Sequence, residues 1–215
     1  MSAAARPTVV KLGGSLSESG RIGSILKTIG RARVACVIVP GGGVFADAVR
    51  AAQTEHKFSE AVTHRMALLA MHQTGMMLCA MHARLQPAET LAGIRRAITN
   101  SRIPVWLPLK LVDGDTAVSR DWKTTSDGLA ARLAERLGGA PIVLVKSCRV
   151  PRSASAARLA KSGIVDATFA AVVERARLSW RVIGDGDEAE LADLLGAGHR
   201  SGRRAPSARA IARRR

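Results

Sequence analysis

Two segments, TVVKLGGS (Thr8–Ser15) and VACVIVPGGG (Val34–Gly43), determine the fold of this 215-residue chain. In each of them a run of apolar residues ends in glycines, which is typical of a buried strand followed by a tight loop. Between them, Ile22–Ile29 places isoleucine and leucine at helical spacing, and Val44–Gln53 follows as a second helix. Strand, helix, strand and helix in succession predict a parallel α/β sheet.

The rest of the chain continues this alternation. We predict a long helical stretch over Glu60–Leu85 and a helix over Pro87–Ile98 that begins at its proline. Short apolar runs predict further strands at Ile103–Leu107, Ile142–Val145 and Trp180–Ile183. Further helices are expected from Thr125 or Ser126 to Leu137 and over Ser153–Lys161, Val165–Arg177 and Glu188–Leu195.

Length and charge indicate one domain with a basic extension. The length suffices for a single domain with a full core, which we place at residues 1–196. The net charge is +16, and residues 199–215 hold seven arginines and no acid. Apolar periodicity is lost from Gly196, so residues 197–215 are predicted to be a basic, disordered tail. The tail suits only non-specific contact with nucleic acid, whereas the basic body suits nucleotides and phosphate esters.

The cysteines and the hydropathy indicate a cytoplasmic protein. Cys36, Cys79 and Cys148 form no C-x-x-C pair, and their number is odd. This argues against a disulfide framework or a zinc site and favours a reducing compartment. The segment Met1–Pro7 has no apolar core of the signal-peptide kind. No run of about 18 apolar residues is present, so no membrane span is expected.

The first glycine loop has the composition of a phosphate site. Gly13 and Gly14 follow a strand, where glycines let backbone N–H groups approach phosphate oxygens. Lys11 lies on that strand, and a lysine at the edge of the core needs an anionic partner because an unpaired buried ammonium is costly. A simple tight turn after the strand explains the same glycines equally well.

The second glycine loop, Gly41–Gly43, leads into a helix, and a helix N-terminus with glycines before it is a ready anion site. Gly41-x-Gly43-x-x-Ala46 also matches the loose dinucleotide fingerprint, but Glu60, at the position of the required acid, does not end a strand. The P-loop sequence G-x-x-x-x-G-K-[ST] is absent. Two anion loops in one βαβ unit favour two facing phosphates, as phosphoryl transfer requires.

These motifs resemble the amino-acid kinase family, which includes acetylglutamate, uridylate and isopentenyl phosphate kinases. The resemblance rests on Val9–Ser15, on Val39–Gly43 and on Thr125-Ser126-Asp127 at a helix start, and it spans about residues 8–196. It implies a three-layer αβα sandwich with a mainly parallel central sheet. It also implies ATP as phosphoryl donor, Mg²⁺ as cofactor and a homodimer or higher homo-oligomer.

The resemblance also implies a role for each motif. Lys11 contacts the transferring phosphoryl group, and Asp127 orients this lysine and sits near magnesium without ligating it directly. The ATP phosphates are assigned to Gly13, Gly14 and Ser15, and the acceptor to Gly41, Gly42 and Gly43. The residues themselves agree for Asp127, since the helix dipole favours a carboxylate in the first turn, where it can hold Lys11 charged. A plain helix cap is the alternative.

One branch of the family is most similar, the (aminomethyl)furan-methanol phosphate kinases of methanofuran-type cofactor biosynthesis. The segments Ala61–Gly75, Asp121–Asp127 and Leu144–Ser147 resemble it. The branch implies transfer of the ATP γ-phosphoryl group to a small phosphate monoester, giving a diphosphate. Other acceptors remain open, namely UMP, isopentenyl phosphate or an amino-acid carboxylate. A non-catalytic nucleotide-binding or storage protein on the same fold is a further alternative.

Three more residues are candidates with an alternative beside each. Lys146 is either a second phosphate-contacting, catalytic lysine or a solvated lysine at a strand end. Asp47 either meets a cationic group of the acceptor, such as an amine, or is a first-turn helix acid. His64 either lies over the acceptor pocket or is a structural histidine. In place of the aspartate-glycine nucleotide loop of many family members the chain has Cys148–Arg152, which leaves the adenine contacts unassigned.

Overall fold

In the computed structural model, which describes residues 6–119, 124–151 and 153–197, the centre of the molecule is a six-stranded sheet. Its strands are β1 (Thr8–Leu12), β2 (Cys36–Pro40), β3 (Leu85–Ala88), β4 (Ile103–Trp106), β5 (Ile142–Val145) and β6 (Trp180–Ile183). They are arranged in the order β3-β4-β2-β1-β5-β6, and every pair is parallel. Residues 121–123 and the predicted tail beyond residue 197 lie outside the described residues.

Helices cover both faces of the sheet. They are α1 (Ile22–Gly30), α2 (Gly43–His56), α3 (Glu60–Met81), α4 (Leu91–Thr99), α5 (Leu109–Val112), α6 (Ser126–Arg136), α7 (Ala156–Lys161), α8 (Ala167–Arg175) and α9 (Glu188–Leu194). Helices α1 and α9 pack on the face that carries Val10 and Leu12, whereas α6, α7 and α8 pack on the face that carries Val9. The predicted three-layer αβα sandwich is confirmed, with a wholly parallel sheet. Within the described residues, no helix combines the length and apolar character needed to cross a membrane.

Alternation along β1 determines where its one charged side chain points. Successive residues of a strand face opposite sides of the sheet, so Val9 and Lys11 share a face while Val10 and Leu12 share the other. Lys11 pairs in register with Val39 of β2 and Leu144 of β5, in the middle of the sheet. The fold therefore places this lysine beneath α6 and beside the carboxyl ends of three central strands.

Helix α3 packs closely on the sheet through a glycine. A Cβ atom added to Gly75 would lie 2.6 Å from Leu107 Cδ2, closer than real Cβ contacts allow, and 3.4 Å from Val105 Cγ1. The absence of a side chain at Gly75 therefore lets this 22-residue helix approach β4. Ser59 caps the start of the helix, because its side chain accepts a hydrogen bond from the backbone N–H of Val62.

The prediction was wrong for one segment. Pro87 does not begin a helix but lies in the edge strand β3, and the following helix, α4, begins after Thr90, whose hydroxyl accepts a hydrogen bond from Gly93 N. Proline is tolerated at a sheet edge because its missing N–H faces no partner there. The long helix α3 accordingly ends at Met81, four residues earlier than predicted.

Candidate active site

A cleft of about 530 Å³ opens at the carboxyl ends of β1, β2 and β5. In parallel α/β sheets this edge is where ligands bind. Most of the predicted site residues line it, namely Lys11, Gly14, Ser15, Gly41, Gly42, Gly43, Asp47, Asp127 and Lys146. The cleft is also lined by residues that were not among the predicted site residues, namely Glu18, Ala46, Arg50, Thr125, Ser126, Gly163, Ile164, Val165 and Asp166.

At the floor of the cleft, two lysines flank one carboxylate. Lys11 Nζ lies 2.8 Å from Asp127 Oδ1, and Lys146 Nζ lies 2.5 Å from Asp127 Oδ2. Lys11 and Asp127 are 4% and 3% exposed, so this is a buried ion pair. The Lys146 side chain is 14% exposed, which does not fit the alternative of a solvated lysine at a strand end. Asp127 neutralises only one of two ammonium groups.

Strand periodicity and a helix cap bring these three residues together. Lys146 follows Leu144 by two positions, so its side chain leaves β5 on the α6 side of the sheet, as Lys11 does on β1. Asp127 lies in the first turn of α6, where the Thr125 hydroxyl caps the helix by accepting from Asp127 N. The start of α6 thus directs the Asp127 carboxylate toward Lys11 of β1 and Lys146 at the end of β5.

Neighbouring charge and burial shift the pKa of the Asp127 carboxyl in opposite directions. Burial by itself raises its pKa, but the adjacent ammonium groups of Lys11 and Lys146 outweigh burial and hold the pKa below its usual range. For Lys146 the pKa is lowered, first by burial and then by the Lys11 ammonium, against the opposing carboxylates of Asp127 and Asp166. Asp127 is therefore ionised, and Lys146 holds its proton less firmly than an ordinary lysine.

The two predicted glycine loops touch each other. A Cβ atom on Gly41 would lie 2.5 Å from the backbone nitrogen of Gly14, and one on Gly14 would lie 2.4 Å from that of Gly43. Gly43 has a φ of 53°, a conformation that glycine adopts readily. Glycine at these positions therefore lets the loop after β1 approach the loop after β2, above Lys11. The Ser15 hydroxyl lies 2.7 Å from that of Ser147, which ties the first loop to the end of β5.

Asp166, which the sequence reasoning did not single out, fixes the turn that carries Asp127. Its Oδ2 accepts hydrogen bonds from Thr125 N at 2.9 Å, Thr125 Oγ1 at 2.6 Å and Gly128 N at 2.9 Å. Its Oδ1 accepts from Phe169 N at 2.6 Å and so caps α8. One carboxylate therefore joins the starts of α6 and α8.

A small recess of about 60 Å³ adjoins the cleft between α2, α3 and α6. Its walls are mostly apolar, with Ala67, Leu68, Met71 and Leu129 among them. His64 also lines the recess and is buried. Asp47 lies at the cleft instead, where its carboxylate is exposed and 2.5 Å from the Arg50 guanidinium. The structure thus places Asp47 and His64, two of the five residues predicted to contact the acceptor, at different cavities.

Comparison with known proteins identifies the family of the chain. The sequence profile described as "Amino acid kinase family" matches residues 6–148. The chain is 27% identical over 138 residues to [5-(aminomethyl)furan-3-yl]methyl phosphate kinase of Methanocaldococcus jannaschii, an alignment that covers 63% of each protein.

The fold is similar to those of two solved structures. Uridylate kinase from Archaeoglobus fulgidus superposes with a TM-score of 0.66 and 19% identity, over 88% of this chain and 95% of that one. UMP kinase from Ureaplasma parvum superposes with a TM-score of 0.65 and 16% identity, over 90% and 96% of the respective chains. At such identities the likeness concerns the fold. With two glycine loops, a lysine-aspartate pair and a matching profile over most of its length, this chain belongs to the amino acid kinase family.

Proposed function

We propose that the protein transfers the γ-phosphoryl group of ATP to a small phosphate monoester. The observation that carries the proposal is the group of Lys11, Asp127 and Lys146 at the floor of a cleft lined by both glycine loops. Two buried ammonium groups share one carboxylate, and a buried charge without a partner is costly, so the site favours anions. A cleft of about 530 Å³ is large enough for several phosphate groups.

Phosphoryl transfer needs alignment of donor and acceptor and neutralisation of charge, with little covalent chemistry from the protein. In our proposal the first loop, Gly13–Ser15, holds the ATP phosphates and the second, Gly41–Gly43, holds the acceptor phosphate at the start of α2. The ammonium groups of Lys11 and Lys146 stabilise the charge that spreads over the transferring group. Asp127 keeps both lysines in place.

Magnesium fits this site as a partner of the phosphates. Among the described residues no group of three His, Cys, Asp or Glu side chains is placed to hold a metal ion. Both Asp127 oxygens already face lysine ammonium groups, so this carboxylate acts on a metal only indirectly. Mg²⁺ commonly keeps several waters and binds through substrate phosphates, where it supplies further charge neutralisation.

For the acceptor we propose an (aminomethyl)furan-methanol phosphate, giving a diphosphate for methanofuran-type cofactor biosynthesis. The relative from M. jannaschii is named as the kinase of such an ester. The small, mostly apolar recess beside the cleft supports the same choice, because it suits the ring of a small acceptor.

The test is a screen of phosphate monoesters with the full chain, ATP and Mg²⁺, following ADP release. We expect turnover with [5-(aminomethyl)furan-3-yl]methyl phosphate and little with UMP. Phosphorus NMR of the product should show a diphosphate. Turnover of UMP in preference to the furan ester would replace this acceptor with a nucleotide. ADP release that is equal with and without every ester would contradict a monoester kinase.

We also propose a homo-oligomer formed through α3. Of the large apolar side chains that are exposed, Val62, Leu69 and Met76 lie on this helix at intervals of seven residues, and so on one side of it. Apolar stripes of this kind commonly mark subunit contacts. Leu69→Glu should convert the protein to a smaller species in light scattering. An unchanged mass would mean that α3 does not form the subunit contact.

A further inference from the structure

Arg50 lies where the phosphate cleft meets the small recess. It lines both cavities, together with Gly42, Ala46, Thr125 and Ser126. An acceptor whose ring occupies the recess and whose phosphate enters the cleft must pass this point. Arg50 is in the second turn of α2, whose first turn begins at the acceptor loop. A guanidinium binds phosphate oxygens through two parallel hydrogen bonds, so its position suits the acceptor phosphate.

Asp47 is the partner of Arg50 and lies three residues earlier on α2. Arg50 Nη1 lies 2.5 Å from Asp47 Oδ1, and the side chains are 52% and 61% exposed. Exposed ion pairs contribute little to stability, so a ligand can separate them readily. We infer that Asp47 and Arg50 together select a zwitterionic acceptor, in which Arg50 binds the phosphate and Asp47 binds an amino group. This inference rests on the proposed kinase function.

The other carboxylates of the cleft are less suitable for a cationic acceptor group. Asp127 faces two lysines, and Asp166 accepts backbone and hydroxyl hydrogen bonds at the starts of α6 and α8. Glu18 follows the donor loop, on the side assigned to ATP. Among the residues that the structure describes, none that lines the recess is a carboxylate. An amino group on the acceptor would therefore meet its counter-charge at Asp47, on the same helix that receives the phosphate.

The geometry of the pair fits an acceptor with two short arms. Side chains three positions apart on a helix lie about 5–6 Å from each other at their Cβ atoms. A small ring that carries a methyl phosphate ester and an aminomethyl group holds its two opposite charges a similar distance apart, because one carbon joins each charged group to the ring. Binding would exchange the internal ion pair for two pairs with the substrate. UMP offers no cation for Asp47, so the same pair disfavours a nucleotide acceptor.

The experiment compares two esters with the full chain, ATP and Mg²⁺. One is [5-(aminomethyl)furan-3-yl]methyl phosphate, and the other carries a methyl group in place of the aminomethyl group. We expect the wild-type protein to prefer the amine in kcat/KM by about tenfold or more, as for one charged hydrogen bond. Asp47→Asn should reduce this ratio to near one. Arg50→Gln should raise KM for both esters by about ten- to hundredfold while the KM for ATP changes little.

The control is Arg95→Gln, which removes an equal charge from the exposed surface of α4, outside the residues that line either cavity. Arg95→Gln should leave kcat/KM and KM for both esters unchanged. Thermal melting checks that all variants are folded. Retention of the amine preference in Asp47→Asn, or an unchanged ester KM in Arg50→Gln, would overturn the inference. A wild-type protein that uses neither ester would overturn the proposed acceptor and this selection with it. Use of both esters without preference would overturn the selection alone.

Discussion

Gly14 and Gly43 touch through their backbones, since a Cβ atom on Gly14 would lie 2.4 Å from the amide nitrogen of Gly43. This contact joins the loop assigned to the donor phosphates to the loop assigned to the acceptor. We predict that Gly14→Ala forces the loops apart, because no real Cβ contact is that short. Overpacking of this kind lowers the free energy of unfolding by about 1–3 kcal/mol. Turnover should fall about 100-fold as donor and acceptor lose alignment.

Urea unfolding and ADP release measure the two effects. The matched control is Gly23→Ala in α1, where an added Cβ meets nothing within 4 Å. This change should raise the free energy of unfolding by about 0.5–1 kcal/mol, because alanine loses less backbone entropy than glycine in a helix. Its turnover should equal that of the wild type. Wild-type turnover in Gly14→Ala would mean that phosphoryl transfer does not depend on the contact.

Asp127→Asn should abolish most of the activity and weaken the fold. The substitution leaves the ammonium groups of Lys11 and Lys146 buried without their shared counter-ion. Removal of one partner from a buried ion pair commonly lowers the free energy of unfolding by about 3–5 kcal/mol. Without the carboxylate the two lysines repel each other, so we expect turnover to fall by about 10³-fold.

Asp115→Asn separates the catalytic effect from the structural one. The Asp115 carboxylate is also buried and pairs with Arg132 at 2.8 Å and Arg136 at 3.4 Å, but it does not line the cleft. This variant should lose stability while its turnover at low temperature stays near that of the wild type. If turnover of Asp127→Asn also stayed near that of the wild type, Asp127 would have no role in the reaction.

The site could be predicted from the sequence where it depends on local periodicity. The alternation of β1 and β5 points Lys11 and Lys146 to one face, and a helix start after β4 supplies Asp127. Lys146 nevertheless stayed ambiguous, because a lysine one residue past a strand is equally compatible with solvent. Only the tertiary structure shows that Asp127 covers it.

Contacts between distant segments could not be predicted in this way. Asp166 accepts a hydrogen bond from Thr125 N across 41 residues, and the sequence around Asp166 gives no indication of that partner. Arg50 resembles any surface arginine until the recess is formed beside it. The edge strand β3 was missed because Pro87 also suits a first helical turn, and with just four residues the strand shows little periodicity.

Asp166→Ala tests whether the joint between α6 and α8 supports the site. The substitution leaves Thr125 N, Gly128 N and Phe169 N without their acceptor. Unsatisfied donors and a lost cap should lower the free energy of unfolding by about 2–4 kcal/mol in total. We also expect kcat to fall about tenfold or more, because Asp127 is no longer held between the lysines.

The control for this variant is Thr90→Ala, which removes the cap of α4 and lies outside the residues that line either cavity. It should lower the free energy of unfolding by about 1 kcal/mol and leave kcat unchanged. Chemical unfolding and initial rates at a temperature where both variants are folded provide the comparison. A kcat for Asp166→Ala that equals that of Thr90→Ala would limit Asp166 to a structural role.

The last prediction concerns pH. Burial and the Lys11 ammonium lower the pKa of Lys146 below the usual 10.5, so turnover should decline with rising pH before ordinary lysines titrate. Lys146→Arg, whose guanidinium stays protonated, should move this decline to higher pH, whereas Lys110→Arg on α5 should not. Unfolding does not explain this decline. Between the lowered pKa and the usual one, Lys146 binds more protons in the unfolded protein than in the folded protein, so its contribution to the free energy of unfolding rises with pH. If turnover of Lys146→Arg declined at the same pH as that of the wild type, the decline would belong to the titration of another group.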